Sequence, residues 1–312
     1  MKSKVSSRTV KVSLIIIGVL VLALLSFLLL CSCAGSGKLS ASGECTFFVK
    51  GVPIEMVFVE GGTFMMGCSG RKNCFCSAEP AHEVTLSNFY IGKYTVTQKQ
   101  WVAVMGIKSL DRIRIAHRGD NLPMNNISWR DAQKFISRIN LRTDRDFRLL
   151  TEAEWEYAAR GGLRSNGYKY SGSDNIDDVA WYIGNRVSRN VYPVGGKLPN
   201  ELGIYDMSGN VCEWVADWYA RYCPLPKKNP KRKPTYNFSI RGPLFPQGLF
   251  SVPSAYGRVN RGGYHFSDPG WCSVYSRNAT EPSFRRPSNG FRLAMNAPSK
   301  IPLKHVKMEE DL

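Results

Sequence analysis

The chain reads as a mixed α and β domain with a loop-rich second half. Three observations predict this: short apolar alternations in the first third, three helix starts carrying capping signals, and the loss of both periods beyond Gly162. Met56 to Met66 reads as an apolar strand, a Gly61-Gly62 turn and a second strand with Phe64 and Met66 on one face. That pattern predicts a hairpin near the start of the domain. Glu83 to Tyr90 alternates again, as a half-buried strand does.

The helix starts follow. Thr97 stands three residues before Gln100, and Thr151 three before Glu154, so each pair can satisfy free backbone donors reciprocally; Ser128 with Asp131 is a looser version. Behind Ser128, the residues Trp129, Ala132, Phe135, Ile136 and Ile139 form a helical stripe that faces a core. The helix after Thr151 runs through Trp155 and Tyr157 to Arg160, where Gly161-Gly162 supplies a left-handed stop. Later residues are rich in glycine, proline, asparagine and aromatics, and long irregular segments in a folded domain usually carry function.

The chain's beginning bears on its compartment. Lys2, Lys4, Arg8 and Lys11 precede an apolar run from Val12 to Leu30, the pattern of a secretory signal or membrane anchor. Leu30-Cys31-Ser32-Cys33-Ala34 looks like a lipobox that would place lipid on Cys33, and an uncleaved anchor is the alternative. Both readings export the rest of the chain. The expected division is a signal peptide over 1–32, a flexible Gly/Ser-rich tether over 33–44, one large domain over 45–296 and a polar tail over 297–312. Net charge is +17, falling to +13 without residues 1–32. Outside the cytoplasm this basic balance points to anionic lipid, polysaccharide or an acidic protein and argues against nucleic acid. The expected location is the cell envelope, lipid-anchored in the outer membrane and facing the periplasm. Six basic residues between Lys227 and Arg241, interleaved with prolines, read as a solvated loop.

Of nine cysteines, Cys31 would be lost with the signal peptide and Cys33 blocked by lipid, leaving an odd set of seven: Cys45, Cys68, Cys74, Cys76, Cys212, Cys223 and Cys272. Cys68, Cys74, Cys76 and His82 are close enough for a Cys₃His zinc site, but the spacing suits a local disulfide better. No Gly-x-Ser-x-Gly elbow, phosphate loop or His-Glu-x-x-His motif is present.

An ordered series of phrases is more specific than any of these signals. It comprises Met56-Val57-Phe58-Val59-Glu60-Gly61-Gly62-Thr63-Phe64, Phe89-Tyr90-Ile91-Gly92-Lys93-Tyr94, Asn126-Ile127-Ser128-Trp129 and Arg148-Leu149-Leu150-Thr151-Glu152-Ala153-Glu154-Trp155-Glu156. Gly203-Ile204-Tyr205-Asp206-Met207-Ser208-Gly209-Asn210-Val211, Arg261-Gly262-Gly263 and Gly290-Phe291-Arg292 complete it. In this order the chain resembles the formylglycine-generating enzyme (sulfatase-modifying factor) family across about residues 55–296. The resemblance implies an α+β, loop-rich formylglycine-generating-enzyme fold with C-type-lectin-like topology. It also implies a structural calcium ion held by Asp206, Glu213 and the carbonyls of Gly209 and Val211, an oxygen set suited to a hard cation. The alternative is a turn held by Asp and Asn side chains alone. The family's second calcium site, near Asn185, lacks an acidic partner here and is not carried over.

Active members oxidise a sulfatase cysteine to formylglycine with copper(I) held by two cysteines. Counted from Gly263, the first of these falls on Ser267 and the second on Cys272, while the family's serine beside the glycines is Tyr264. Hydroxyl oxygen is a poor ligand for copper(I), which soft thiolates select. Two rescues remain open: Cys212 could approach Cys272, as a metal ligand or in a disulfide, and His265 could add a nitrogen. The expected function is a lipid-tethered, non-catalytic, calcium-stabilised module that binds an envelope protein or glycan or scaffolds envelope machinery. The alternative is the copper-dependent formylglycine-generating oxidase. Iron-dependent sulfoxide synthases that share the domain need a further histidine-rich domain, and this reading is discarded.

Overall fold

The computed structural model describes residues 38–39, 44–68, 78–233 and 257–297. The leader, Cys33 and most of the Pro/Lys segment lie outside these residues. The strands are β1 (Lys38–Leu39), β2 (Glu44–Val49), β3 (Val52–Val59), β4 (Thr63–Met66), β5 (His82–Thr85), β6 (Phe89–Gly92), β7 (Arg148–Leu149) and β8 (Ala180–Trp181). They continue with β9 (Ser208–Gly209), β10 (Cys212–Trp218), β11 (Lys227–Lys228), β12 (Arg258–Arg261), β13 (Arg277–Thr280), β14 (Asn289–Phe291) and β15 (Leu293–Asn296). Among the described residues five α-helices interrupt them: α1 (Gln98–Met105), α2 (Lys108–Ile113), α3 (Trp129–Thr143), α4 (Glu152–Ala159) and α5 (Ile176–Val179).

All three capping signals form. Thr97 with Gln100, Ser128 with Asp131 and Thr151 with Glu154 each make the full reciprocal pair, so the looser Ser128 signal is as complete as the other two. Helix α3 buries Ala132, Phe135, Ile136 and Ile139 against Trp101 of α1, whose ring stacks on Phe135 at 5.3 Å. Gly161 and Gly162 take φ of +90° and +57° beyond α4, the left-handed stop that the sequence predicts.

Strands assemble into a six-stranded sheet ordered β1-β2-β3-β6-β15-β7 and a four-stranded sheet ordered β13-β12-β10-β14, with β11-β5-β4 and β8-β9 as smaller sheets. The hairpin predicted across Gly61-Gly62 is not there. Strand β3 pairs antiparallel with β2, while β4 pairs with β5 in a different sheet. The two glycines carry the chain between sheets instead. Gly61 lies so close to the Leu86–Asn88 backbone that a Cβ would sit 2.3 Å from the Leu86 carbonyl oxygen, and its N–H is held by Asn88 Oδ1 at 2.8 Å.

Among the described residues three apolar clusters result. One gathers Trp101, Phe135, Trp214 and Phe291 between α1, α3 and the sheets; a second gathers Phe89, Ile91, Trp155 and Tyr157 around α4; a smaller third gathers Tyr170, Ile176, Val179, Ala180 and Cys272. Among the described residues no helix is long and apolar enough to cross a membrane. The basic run differs from a simple solvated loop at its start: Lys227–Lys228 add a strand parallel to β5, and the Arg232 N–H donates to Asp217 Oδ1. Cys68 is buried and disulfide-bonded, so it cannot serve as a zinc thiolate. Cys74 and Cys76 lie outside the described residues, and His82 packs against Tyr222 with Nδ1 3.2 Å from the Pro80 carbonyl oxygen.

Candidate functional site

The recurring phrases of the sequence meet in space as ion pairs. Arg261, at the end of β12, is fully buried and hydrogen-bonds Glu156 of α4, with its Nε 3.5 Å from Glu152. Arg277 of β13 grips both oxygens of Glu152, at 2.7 and 2.6 Å. Burial alone would raise the Glu156 carboxyl, but Arg160 and Arg261 outweigh it and hold the pKa below the ordinary value. Arg292 similarly closes on Glu213, at 2.7 Å for its best contact, and also donates to the carbonyls of Gly92, Lys93 and Tyr205. Trp155 Nε1 donates to the second Glu213 oxygen at 2.8 Å.

This pairing corrects the calcium expectation. Asp206, Gly209, Val211 and Glu213 do follow one another into β10, but Glu213 already faces the Arg292 guanidinium and the Trp155 N–H, leaving no open carboxylate face. Asp206, at φ +59°, instead accepts the Gly195 N–H at 2.7 Å. Burial pushes its carboxyl up to about 6, with Gly195 partly offsetting this. Asn210 completes the turn by exchanging both side-chain hydrogen bonds with the Tyr192 backbone. The residues fit the turn held by Asp and Asn side chains and do not fit a calcium shell. Among the described residues no cluster of three His, Cys, Asp or Glu could hold a metal ion.

Beyond Arg261 the chain bends through Gly262 and Gly263, at φ +92° and +70°. A Cβ on Gly263 would lie 2.8 Å from Cys272 Sγ, so only glycine fits this bend. Ser267 is buried and spends its hydroxyl locally: its Oγ accepts the Tyr264 N–H at 3.0 Å while its own N–H donates to the Tyr264 carbonyl at 2.7 Å. Cys272 ends a 3₁₀ turn (Pro269–Cys272) and is 0% exposed. Cys212 opens β10, and its thiol takes a hydrogen bond from the Gly263 backbone. Both cysteines are free thiols. Burial, then the nearby Glu213, pushes Cys212 up to about 12; burial, then Cys212, pushes Cys272 up as well. His265 contributes no nitrogen to this pair. Its Nδ1 and Nε2 lie 3.0 and 3.3 Å from the Asn210 and Arg189 carbonyl oxygens, and burial lowers its pKa. Position 267 therefore offers a hydroxyl already engaged in a turn, and the family's copper ligand set does not fit here.

Above these glycines opens a cleft of about 310 Å³, lined in part by Cys212, Asn260, Ser267, Trp271, Asn278 and Asn289. A second hollow of about 190 Å³ adjoins it, lined among others by Arg114, Asn125, Arg189 and Asn190. Tyr264, Phe266 and Ser288 line both, so the Tyr264–Phe266 segment is a ridge between two lobes. The sequence reading missed the asparagines of this cleft because isolated amides follow no period. Asn289, immediately before Gly290-Phe291-Arg292, was the one nearest to a legible signal.

Fold and site together define a loop-rich α+β domain, held by buried Arg–Glu pairs behind a polar cleft. Residues 49–297 match the family described as Sulfatase-modifying factor enzyme 1-like domain, and the chain belongs to that family. It is 36% identical over 245 residues to the protein named Chaperone protein LppX of Paenibacillus barcinonensis, covering 63% of this chain and 81% of that one. It is 29% identical over 261 residues to Serine/threonine-protein kinase Pkn1 of Chlamydia trachomatis, covering 77% of this chain but only 38% of the kinase. Among solved structures, Treponema denticola variable protein 1 superposes with a TM-score of 0.67 at 25% identity, over 81% of this chain and 99% of that one.

Proposed function

We propose that the chain is a membrane-tethered, non-catalytic binding module of the cell envelope. It is anchored through lipid on Cys33, faces the periplasm from the outer membrane, and presents its cleft to an envelope protein or glycan as partner or scaffold. The observation that carries this reading is Ser267, a hydroxyl bound into the Tyr264 turn at the position of a copper-ligating cysteine. A hydroxyl so engaged offers no soft ligand, while the cleft above it stays open and polar. One relative bearing the name of a chaperone supports this reading, while others named formylglycine-generating enzyme support the alternative.

The copper-dependent oxidase reading retains one structural observation in its favour, the two free thiols Cys212 and Cys272, which both lie against Gly263 and near each other. Incubating the full chain with copper(I), oxygen and a Cys-x-Pro-x-Arg peptide separates the two readings. The expected result is an unchanged peptide thiol; its conversion to an aldehyde overturns the non-catalytic reading. Anchoring is tested separately by labelled fatty acid, which the chain is expected to incorporate and the Cys33→Ser variant to lose.

A further inference from the structure

The floor of the larger cleft is the face of a sheet. Cross-strand partners share a face, and the registers pair Asn278 with Asn260 across β13 and β12, Asn260 with Trp214 across β12 and β10, and Cys212 with Asn289 across β10 and β14. Residues 212 and 214 are two apart on β10, so Asn278, Asn260 and Asn289 all belong to one face. Neighbouring strands lie about 4.8 Å apart. Asn278 and Asn260 are therefore cross-strand neighbours in one row, and Asn289 lies on the same face one row along, beside Cys212.

Their hydrogen bonds are incomplete in a telling way. Asn289 is 2% exposed, and its oxygen accepts the Ser288 hydroxyl at 2.9 Å, yet its Nδ2 has no partner among the described residues. A buried donor left without an acceptor costs about 1–3 kcal/mol, so a lining donor of this kind points to an acceptor brought by a ligand. Asn260 is fixed by donating to Thr280 Oγ1 at 2.9 Å, and Asn278 accepts the Ala279 N–H at 2.7 Å. Cations surround these amides. Arg286 lines this lobe, Arg114 and Arg189 line the other, all three are exposed, and none has a carboxylate partner among the described residues. Asp268 is the one acidic residue lining either lobe. Aromatic surface is present too: Tyr264 and Phe266 form the ridge, and Trp271 on the cleft wall is 39% exposed.

Resting on the binding reading above, we infer that the two-lobed cleft takes an anionic polysaccharide, a chain of hydroxyl-rich rings bearing carboxylate or sulfate groups. Each amide both donates and accepts, which matches hydroxyl groups; the guanidiniums match the anionic substituents; the exposed aromatic surface suits the apolar face of a sugar ring. A peptide is the less favoured occupant. Its usual mode of docking onto a sheet is to add a strand at an edge, whereas this floor is a face made of side chains. The ridge between two lobes fits a ligand several units long rather than a single sugar.

The test titrates the full chain in detergent with oligogalacturonate, with dextran oligomers of similar length, and with poly-L-glutamate. Oligogalacturonate is expected to bind at least tenfold more tightly than either of the other two. Asn289→Leu, Asn278→Ala and Arg286→Ala are each expected to weaken it at least threefold without lowering the thermal midpoint. Asn278 and Arg286 are exposed, so these two variants keep the test valid if Asn289→Leu misfolds. Equal binding of poly-L-glutamate that responds to Arg286→Ala but to neither asparagine variant overturns the saccharide inference and leaves the binding reading standing. Absence of oligogalacturonate binding also overturns it. Aldehyde formation in the peptide assay, by contrast, strikes the parent reading.

Discussion

Two regions a few residues apart in sequence treat polar groups in opposite ways. Behind Gly262-Gly263, Arg261, Arg277 and Arg292 are all buried and all answered by Glu152, Glu156 or Glu213. In the cleft beside the same glycines, Asn289 keeps a buried donor and Arg286 a charge that have no partner among the described residues. Burying a charge is tolerable only when its partner comes with it, and each guanidinium of the rear network has a carboxylate, although Arg261 Nε is left without a hydrogen bond. The front violates the usual rule of satisfied polar groups, which is a feature of surfaces that wait for something else to complete them. The difference separates what holds the domain together from what it presents.

The largest expected effect breaks the rear. Arg292→Met leaves Glu213 buried with only the Trp155 N–H and should cost about 3–5 kcal/mol in urea unfolding. A loss below about 1 kcal/mol would show that the network is incidental to stability. Next comes Asp206, whose folded-state carboxyl is raised to about 6 by burial. Because the folded state holds this proton more tightly than the unfolded chain, its contribution to stability falls as pH climbs from about 4 to about 6. Asp206→Asn keeps an acceptor for Gly195 and tolerates the left-handed backbone. It should gain about 1–3 kcal/mol at pH 7.5 and flatten that part of the pH profile. A calcium site would give the opposite sign, with the variant destabilised and chelator lowering the thermal midpoint of the parent.

Smaller effects sharpen the contrast. Thr151→Ala removes the cap that positions α4 and its two network glutamates, and should cost about 1 kcal/mol by thermal or urea unfolding. At the front, Asn278→Ala should change stability by no more than about 0.5 kcal/mol while altering ligand affinity. A front variant that destabilised as much as Arg292→Met would erase the distinction between the two regions.

Local features were legible because their causes are local. The three capping boxes span three residues each, and the glycine stop follows α4 directly, so the sequence contains both halves of every interaction. The hairpin across Gly61-Gly62 was misread for the complementary reason. A short glycine link can reverse a strand or pass it to another sheet, and the outcome is decided by the Leu86–Asn88 backbone, which packs against Gly61. The calcium expectation failed similarly. Asp206 and Glu213 stand seven residues apart and invite a cation, but Glu213 meets the guanidinium of Arg292, 79 residues beyond it, and Asp206 takes the Gly195 N–H.

By itself the sequence determined the family, the α+β class and the helix caps, since each depends on residue identity or on neighbours within one turn. Tertiary structure alone decided which carboxylate answers which arginine, as in Arg261 and Glu156, 105 residues apart. It also brought Cys212 and Cys272 to the same glycine, Gly263, and placed three scattered asparagines on a single sheet face. Electrostatic pairing and cleft shape act through space at a few ångströms. Chain order supplies the participants, and only folding sets those distances.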